Sequence, residues 1–372
     1  MTIGLKQAAL LLAGLTATSA QADVRDLFSA VRLSSSRHVT GLSSTPAPAQ
    51  INKLFNAIRL SGSERLMVHT LSLPGMPRDA VQAREQLLTR MGYRGAPGTI
   101  GDSGLSFSPV MTHDGNVNGG FASDTLVVAG IPFTLGEEYK AVGGLLLGVS
   151  GSGRMRMAVA ENTALDVRYG GVVSYAPEHD MAKISLGGEA CLRRMHSFST
   201  YSHACVDTTL QRYELGESNR FGAKLGVTHA FTAAGGVHEV SADLMVNRYL
   251  NATDYSQPVA SVSLTSALPV PAVISAGVQV GGSAGDNMVM REKLNLGLGF
   301  LAWERPTSIS VSLQNNRGSQ FLGEALESRV TTIGASHQFN EKLTVSASVS
   351  ITDSSAAFFD DTAYGFSANW RF

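Results

Sequence analysis

Eight charged side chains in the middle of the sequence are the residues best placed to do chemistry. They lie in short segments where apolar and polar residues alternate, so within a segment they share one face of a β-strand. Because acids and bases are mixed, the set indicates an internal salt-bridge network that packs a narrow barrel; the alternative is a substrate path. The eight are Asp166, Arg168, Lys183, Glu189, Arg193, Asp207, Lys224 and Asp243.

Ser, His and Asp are all present in the chain, but we recognise no Gly-x-Ser-x-Gly elbow and no barrel-enzyme motif, so an outer-membrane hydrolase is not expected. We therefore predict a protein that is not an enzyme and that needs no cofactor.

Two cysteines, Cys191 and Cys205, stand on either side of a predicted turn near Phe198. An antiparallel hairpin could place them opposite each other on the lumen face. In an oxidising compartment they would pair, so we predict a disulfide. The alternative is a metal or redox site, but His196 and His203 lack ligand spacing, and we predict no metal.

The elements that would position these residues begin with an export signal. Lys6 precedes an apolar run over residues 8–15, and Ala20-Gln21-Ala22 has the small-x-small pattern of a cleavage site. We predict a signal peptide over residues 1–22.

Composition narrows the class further. The 372 residues include 39 Gly and 16% charged residues, with a net charge of -1, which suits neither a nucleic-acid binder nor a disordered chain. After the signal there is no apolar stretch of about 18 residues, so a membrane protein of this kind must be a barrel.

Residues 23–102 predict a small, partly helical periplasmic extension, with a helix around residues 80–91. Residues 27–34 recur in similar form at residues 54–61. The two copies predict short amphipathic elements that pack on each other or on the barrel mouth; the alternative is a partner-binding module.

Residues 103–372 predict an all-β, transmembrane antiparallel β-barrel. In the last segment, Tyr364, Trp370 and Phe372 share an apolar face, while Gly365 and Ser367 share a polar one. A soluble sandwich would also alternate, but the export signal and the terminal aromatic residues, which resemble the signature read by the barrel assembly machinery, favour the outer membrane of a Gram-negative bacterium. The predicted partners are therefore membrane lipid and that machinery.

Counting alternating segments gives about fourteen strands, with twelve as the alternative. Short connections are expected on the periplasmic side and long ones outside. The long ones are expected at residues 115–139, 251–257, 317–327 and 353–362.

The first long loop carries a family resemblance. Ser106-Phe107-Ser108-Pro109 leads into Asp114-Gly115-Asn116-Val117-Asn118-Gly119, and Gly130-Ile131-Pro132-Phe133 follows. This resembles the start of the barrel in surface lipoprotein assembly modifiers, which implies a fourteen-stranded barrel that translocates or displays lipoproteins, with a client lipoprotein as partner. The chain departs from that family because residues 23–102 show no tetratricopeptide period.

A local interpretation of the same loop is turn chemistry, since Asn and Gly tolerate positive φ. The spacing of Asp114, Asn116 and Asn118 also suggests a calcium loop, but Thr125 stands where the bidentate Glu belongs, so calcium is not expected.

Two functions follow from these observations. The resemblance implies translocation or display of exported lipoproteins at the cell surface. The alternative is a porin-like diffusion channel, because the predicted lumen is lined by Ser, Thr, Gly and scattered charge. A structural or adhesive barrel with contacting outer loops is a third, weaker interpretation.

Overall fold

The computed structural model of the protein describes residues 49–76, 78–128, 131–250, 254–321 and 323–370. The predicted signal peptide, the first copy of the repeat and Phe372 lie outside these residues. Among the helices in the described ranges, none has both the length and the apolar character needed to cross a bilayer.

Fourteen strands form one closed antiparallel barrel, so the predicted count is confirmed and the twelve-strand alternative is wrong. Consecutive strands pair throughout, except that β1 pairs with both β4 and β16 to close the barrel. β2 and β3 form a separate hairpin in the first outer loop. The strands are β1 (Ile100–Asp114), β2 (Thr125–Val128), β3 (Ile131–Thr134), β4 (Gly144–Ala160), β5 (Thr163–Ala176), β6 (Met181–Met195), β7 (Thr200–Tyr213), β8 (Gly216–Ala233), β9 (Gly236–Leu250), β10 (Asp254–Ala267), β11 (Ala272–Gly281), β12 (Val289–Ala302), β13 (Arg305–Phe321), β14 (Glu324–Gln338), β15 (Leu343–Ser354) and β16 (Asp361–Trp370).

The outer surface of the barrel is apolar, because alternate residues of a strand point to opposite sides of the sheet. On β16, Tyr364 and Trp370 are exposed at 66% and 40%, while Gly365 and Ser367 face the lumen between them. An apolar outer face and a polar interior are the reverse of a soluble sandwich, and the sandwich interpretation is therefore wrong.

One end of the barrel has only short turns. Asn162, Ala234 and Glu304 lie in such turns with positive φ, as tight hairpins require. This end is periplasmic in the usual orientation of outer-membrane barrels.

At the other end, two of the expected long loops are wrong. β10 begins at Asp254, shortly after β9 ends at Leu250, and β13 continues to Phe321, with β14 starting at Glu324. Hydrogen bonding between strands persists here beyond the apolar band. The alternation of hydrophobicity stops where both faces meet water, which is why the pattern suggested loops.

Within the described ranges, three helices precede the barrel: α1 (Ala49–Ser61), α2 (Glu64–Leu71) and α3 (Arg78–Arg90). Ser63 caps α2, since its hydroxyl accepts a hydrogen bond from the Leu66 amide at 3.2 Å. α3 coincides with the helix expected around residues 80–91. All three helices pack against the short-turn end of the barrel, and we call them the plug.

Candidate functional site

The first contact of the plug with the barrel wall is apolar and involves α1. Ala57 and Ile58 are buried in one cluster with Val237, Ala267 and Val273, which lie beside the periplasmic turns of β9, β10 and β11. α1 contains the whole second copy of the sequence repeat, residues 54–61, so this copy packs on the barrel mouth.

A second apolar contact joins α3 and the segment after it to the β6–β7 hairpin. Leu88 and Tyr93 pack with Met195 and Tyr201, and the rings of the two tyrosines lie 5.7 Å apart. The hairpin therefore forms a large part of the surface on which the plug rests.

Ion pairs fix the plug to the lumen wall between these apolar contacts. Arg65 binds Glu239 on β9, with Nη2 and Oε1 2.7 Å apart. Glu64 accepts a hydrogen bond from Arg156 on β4, whose Nε lies 3.3 Å from Asp166 Oδ2. Both plug residues come from the first turn of α2, so this turn is the electrostatic anchor of the plug.

The pKa of Glu64 reflects this anchor. Burial alone would raise the pKa of the Glu64 carboxyl, but Arg156 and then Arg154 hold it below its usual value. For His69, burial lowers the pKa and His229 lowers it further. His69 Nδ1 lies 2.8 Å from the Ser199 hydroxyl, and its Nε2 lies 3.2 Å from the Thr232 hydroxyl.

All eight charged residues singled out from the sequence face the lumen, seven of them with a charged partner and Asp243 with His203. Asp166 is the hub, since it lies within 3.4 Å of Arg156, Arg168 and Arg193. The other pairs are Glu189 with Lys224, Asp207 with Arg220, Lys183 with Asp114, and Asp243 with His203.

Sequence reasoning missed several members of this network, among them Glu64, Arg154 and Arg156. Arg154-Met155-Arg156-Met157 alternates as the other strands do, and that alternation was the signal that could have revealed them. The network covers the wall from β4 to β9.

Cys191 and Cys205 are joined by a disulfide and stand directly opposite each other on β6 and β7. Both are almost fully buried on the lumen side of the hairpin that contacts the plug. Glu189 lies close to both sulfur atoms, but these are bonded to each other and so are not available as thiolate metal ligands.

The opposite wall, from β13 to β16, is lined by hydroxyl groups. Ser308, Ser336, Ser346 and Ser367 form one row of adjacent residues across the four strands, and none of them is buried. We call this surface the serine wall. Within the described residues, no hydrogen bond, ion pair or hydrophobic cluster joins it to the plug.

The outer end of the barrel is covered by the loop between β1 and β4, which the family motif begins. Val117 and Asn118 are buried, and the Asn118 side chain bonds the backbone of Lys140 and Val142 across the base of the loop. The Asn118 carbonyl also accepts a hydrogen bond from the Leu215 amide in the β7–β8 turn, at 3.0 Å. The motif thus fixes the loop across the mouth, as turn chemistry would.

The same loop then reaches the far side of the mouth. Phe121 packs on Phe358 with ring centroids 4.9 Å apart, in a cluster with Phe359, Met288 and Leu326. These residues come from the outer ends of β11 to β16, above the serine wall. The loop between β1 and β4 therefore closes the outer mouth on that side, and we call it the lid loop.

Sequence reasoning overlooked one pentapeptide, Gly281-Gly282-Ser283-Ala284-Gly285, which has the Gly-x-Ser-x-Gly pattern of a hydrolase elbow, so the statement that the pattern does not occur is wrong. It follows β11 and leads into β12, whereas a nucleophile elbow joins a strand to a helix. We assign it no catalytic role.

No known protein-family model and no curated protein matches the sequence. Among solved structures, Pseudomonas aeruginosa OccK2 (OpdF) in complex with glucuronate is similar at 10% identity, covering 73% of this chain and 98% of that chain, with a TM-score of 0.39. Pseudomonas aeruginosa OprD aligns at 11% identity over 76% and 98%, with a TM-score of 0.38. Acinetobacter baumannii OccAB1 aligns at 7% identity over 75% and 99%, with a TM-score of 0.40.

The closed barrel combines an apolar outer surface with a polar interior and a short-turn end. These are the features of a transmembrane barrel of the bacterial outer membrane. The protein is located there, and its outer surface contacts membrane lipid.

Proposed function

We propose that the protein is a gated channel that admits small polar solutes through the outer membrane. The observation that carries the proposal is the serine wall: a solvent-accessible, hydroxyl-lined surface of the lumen, with Asp361 near its outer end, that the described plug helices do not contact. Hydroxyl groups can replace the hydration shell of a polar solute as donors and as acceptors.

The charged wall from β4 to β9 has a different role in this proposal. Its acids and bases are paired with each other, and Asp166 is only 2% exposed. Paired charges of both signs give no strong preference for ions of one sign. We therefore assign this wall to holding the plug and the serine wall to passing the solute.

Two elements would regulate passage. The lid loop covers the outer end of the serine wall through Phe121 and Phe358, and the plug occupies the periplasmic end beside it. Display of lipoproteins at the surface, and recognition by the barrel assembly machinery, stay predictions that rest on the sequence motifs.

The test is solute uptake by proteoliposomes that contain the full chain. We expect neutral sugars to enter, arabinose faster than the larger raffinose, and Phe121→Ala to accelerate both by weakening the lid. Ser348→Trp, on the serine wall, should slow uptake in the Phe121→Ala background. Ala347→Trp is the matched control, because the neighbouring residue points to lipid.

Equal uptake in the Ser348→Trp and Ala347→Trp variants would show that solutes do not pass along the serine wall. An absence of uptake in the parent chain, in Phe121→Ala and in Arg65→Met, which removes the ion pair between the plug and Glu239, would contradict the channel itself and would favour a translocation role.

A further inference from the structure

An open furrow crosses the lipid-facing surface of the barrel from β6 to β11 and has a volume of about 880 Å³. It lies between two rows of outward-facing residues that follow the strand register. One row runs from Arg194 through Val227 to Val278, and the other from Leu192 through Leu244 to Val280. The volume lies within the range of roughly 300–1,000 Å³ that is typical of ligand sites.

Small side chains leave space in the furrow. Ala204, Ala242 and Ala260 lie in the two rows, between larger neighbours such as Leu225 and Leu244 that are 65% and 69% exposed. Most of the accessible lining is apolar, so it suits a hydrocarbon chain. Its polar members are Thr163, Arg194 and Ser202 near the periplasmic end, together with His203, Asp243 and Ser261, which occupy lumen-facing positions of their strands.

The furrow runs from one membrane interface towards the other. Arg194 is next to the periplasmic end of β6, whereas Val280 is next to the outer end of β11. Six strands at a spacing of about 4.8 Å make the furrow roughly 24 Å long. One leaflet of the hydrocarbon core is only about 15 Å thick, so a lipid acyl chain from one leaflet fits along it.

The periplasmic end of the furrow carries a positive charge. Arg194 is exposed and points away from the lumen, between Thr163 and Ser202 on the adjacent strands. Within the described ranges it forms no ion pair and no side-chain hydrogen bond. Its neighbour Arg193 points into the lumen and binds Asp166, so the two arginine side chains lie on opposite faces of the barrel wall. An unpaired arginine near a membrane interface attracts anionic lipid head groups.

We propose that this furrow binds one anionic phospholipid of the periplasmic leaflet, with its phosphate at Arg194 and an acyl chain along the apolar rows. The position of the charge selects the leaflet: lipid A, from the outer leaflet, would place its phosphates at the opposite, apolar end. This site is independent of the channel activity proposed above.

The test is native mass spectrometry of the full chain in detergent with phosphatidylglycerol, phosphatidylethanolamine or lipid A. We expect phosphatidylglycerol to be retained best. Arg194→Gln should weaken its retention about five-fold, since one basic residue at a membrane surface contributes about that factor. Arg212→Gln, which removes an outward arginine near the other end of β7, is the matched control and should change nothing.

A second variant tests the apolar part of the furrow. Ala242→Trp fills the furrow and should reduce retention of phosphatidylglycerol, whereas Ala335→Trp, on the lipid face of β14, should not. Equal retention by the parent chain and Arg194→Gln would overturn the proposal, as would preferential retention of lipid A. Equal retention by Ala242→Trp and Ala335→Trp would do the same.

Discussion

Arg65 of the plug and Glu239 of the barrel wall are joined by two hydrogen bonds, from Nε to Oε2 at 3.0 Å and from Nη2 to Oε1 at 2.7 Å. Glu239 also accepts a hydrogen bond from the Ser63 hydroxyl that caps α2, at 2.7 Å. A single carboxylate therefore binds both the capping residue and the first turn of the helix that anchors the plug. The Glu239 carboxylate is therefore a specific attachment point between the plug and the barrel wall.

Arg65→Met is expected to release the plug. The substitution removes the ion pair and both hydrogen bonds that Arg65 gives to the buried Glu239 carboxylate, and breaking a buried pair typically costs about 3–5 kcal/mol. Planar-bilayer recordings of the full chain should then show more frequent and larger conductance steps than the parent protein. Arg78→Met, at the exposed start of α3, is the control and should behave like the parent. Identical recordings for the two variants would show that the pair does not hold the plug.

Gly119→Ala is expected to open the outer mouth. Gly119 has a φ of +76°, and an added Cβ would overlap the ring of Tyr213. The lid loop would then lose its position over the β7–β8 turn. Sugar uptake by proteoliposomes should rise, whereas Gly115→Ala, in the same loop with nothing near its added Cβ, should leave uptake unchanged. If both variants leave uptake unchanged, the loop does not limit passage.

Loss of the disulfide should destabilise the hairpin under the plug. Cys191 and Cys205 are 14 residues apart, and closing a loop of this size contributes about 3 kcal/mol in the chain-entropy model. We expect the double variant Cys191→Ser, Cys205→Ser to unfold at lower temperature in heat-modifiability gels and to conduct more often. A reducing agent should reproduce the effect in the parent and have none in the variant. A reducing-agent effect of equal size in the variant would contradict this assignment.

The strands were predictable because the lipid outside and the water inside impose opposite chemistry on alternate residues. Tyr364, Phe366 and Trp370 show this in ten residues of β16. The lumen charges were predictable for the same reason, since Asp166 and Arg168 stand at polar positions of an otherwise apolar alternation. The strands and the lumen charges could both be predicted from the alternation of residues that are close together in sequence.

The plug contacts and the lid were not predictable from local pattern. Arg65 and Glu239 are separated by 174 residues, and nothing in either neighbourhood specifies the other. Likewise, Phe121 and Phe358 come from the first and last outer loops and meet only because β1 and β16 close the barrel. The motif at residues 114–119 indicated a turn, but the place where that loop docks depends on the closed fold.

Acidification should release the plug through His69. Burial, and then His229, hold the pKa of His69 below its ordinary value of 6.5. The ring lies between the Ser199 and Thr232 hydroxyls, where the plug meets the barrel wall. When the plug is undocked, His69 regains its ordinary pKa and binds a proton more readily than in the docked plug. Protonation therefore favours the undocked plug, and docking loses stability as pH falls below about 6.5. Channel openings in planar bilayers should become more frequent between about pH 7 and pH 5.

The variant His69→Gln provides the decisive comparison, since glutamine can donate and accept hydrogen bonds but does not titrate in this range. We expect its openings to depend much less on pH than those of the parent. His179→Gln is the control, because His179 lies at the outer end of the barrel, where its Nε2 is 3.1 Å from the Gly143 carbonyl. If His69→Gln keeps the full pH response while His179→Gln loses it, the sensor lies at the lid loop and the plug does not respond to protons.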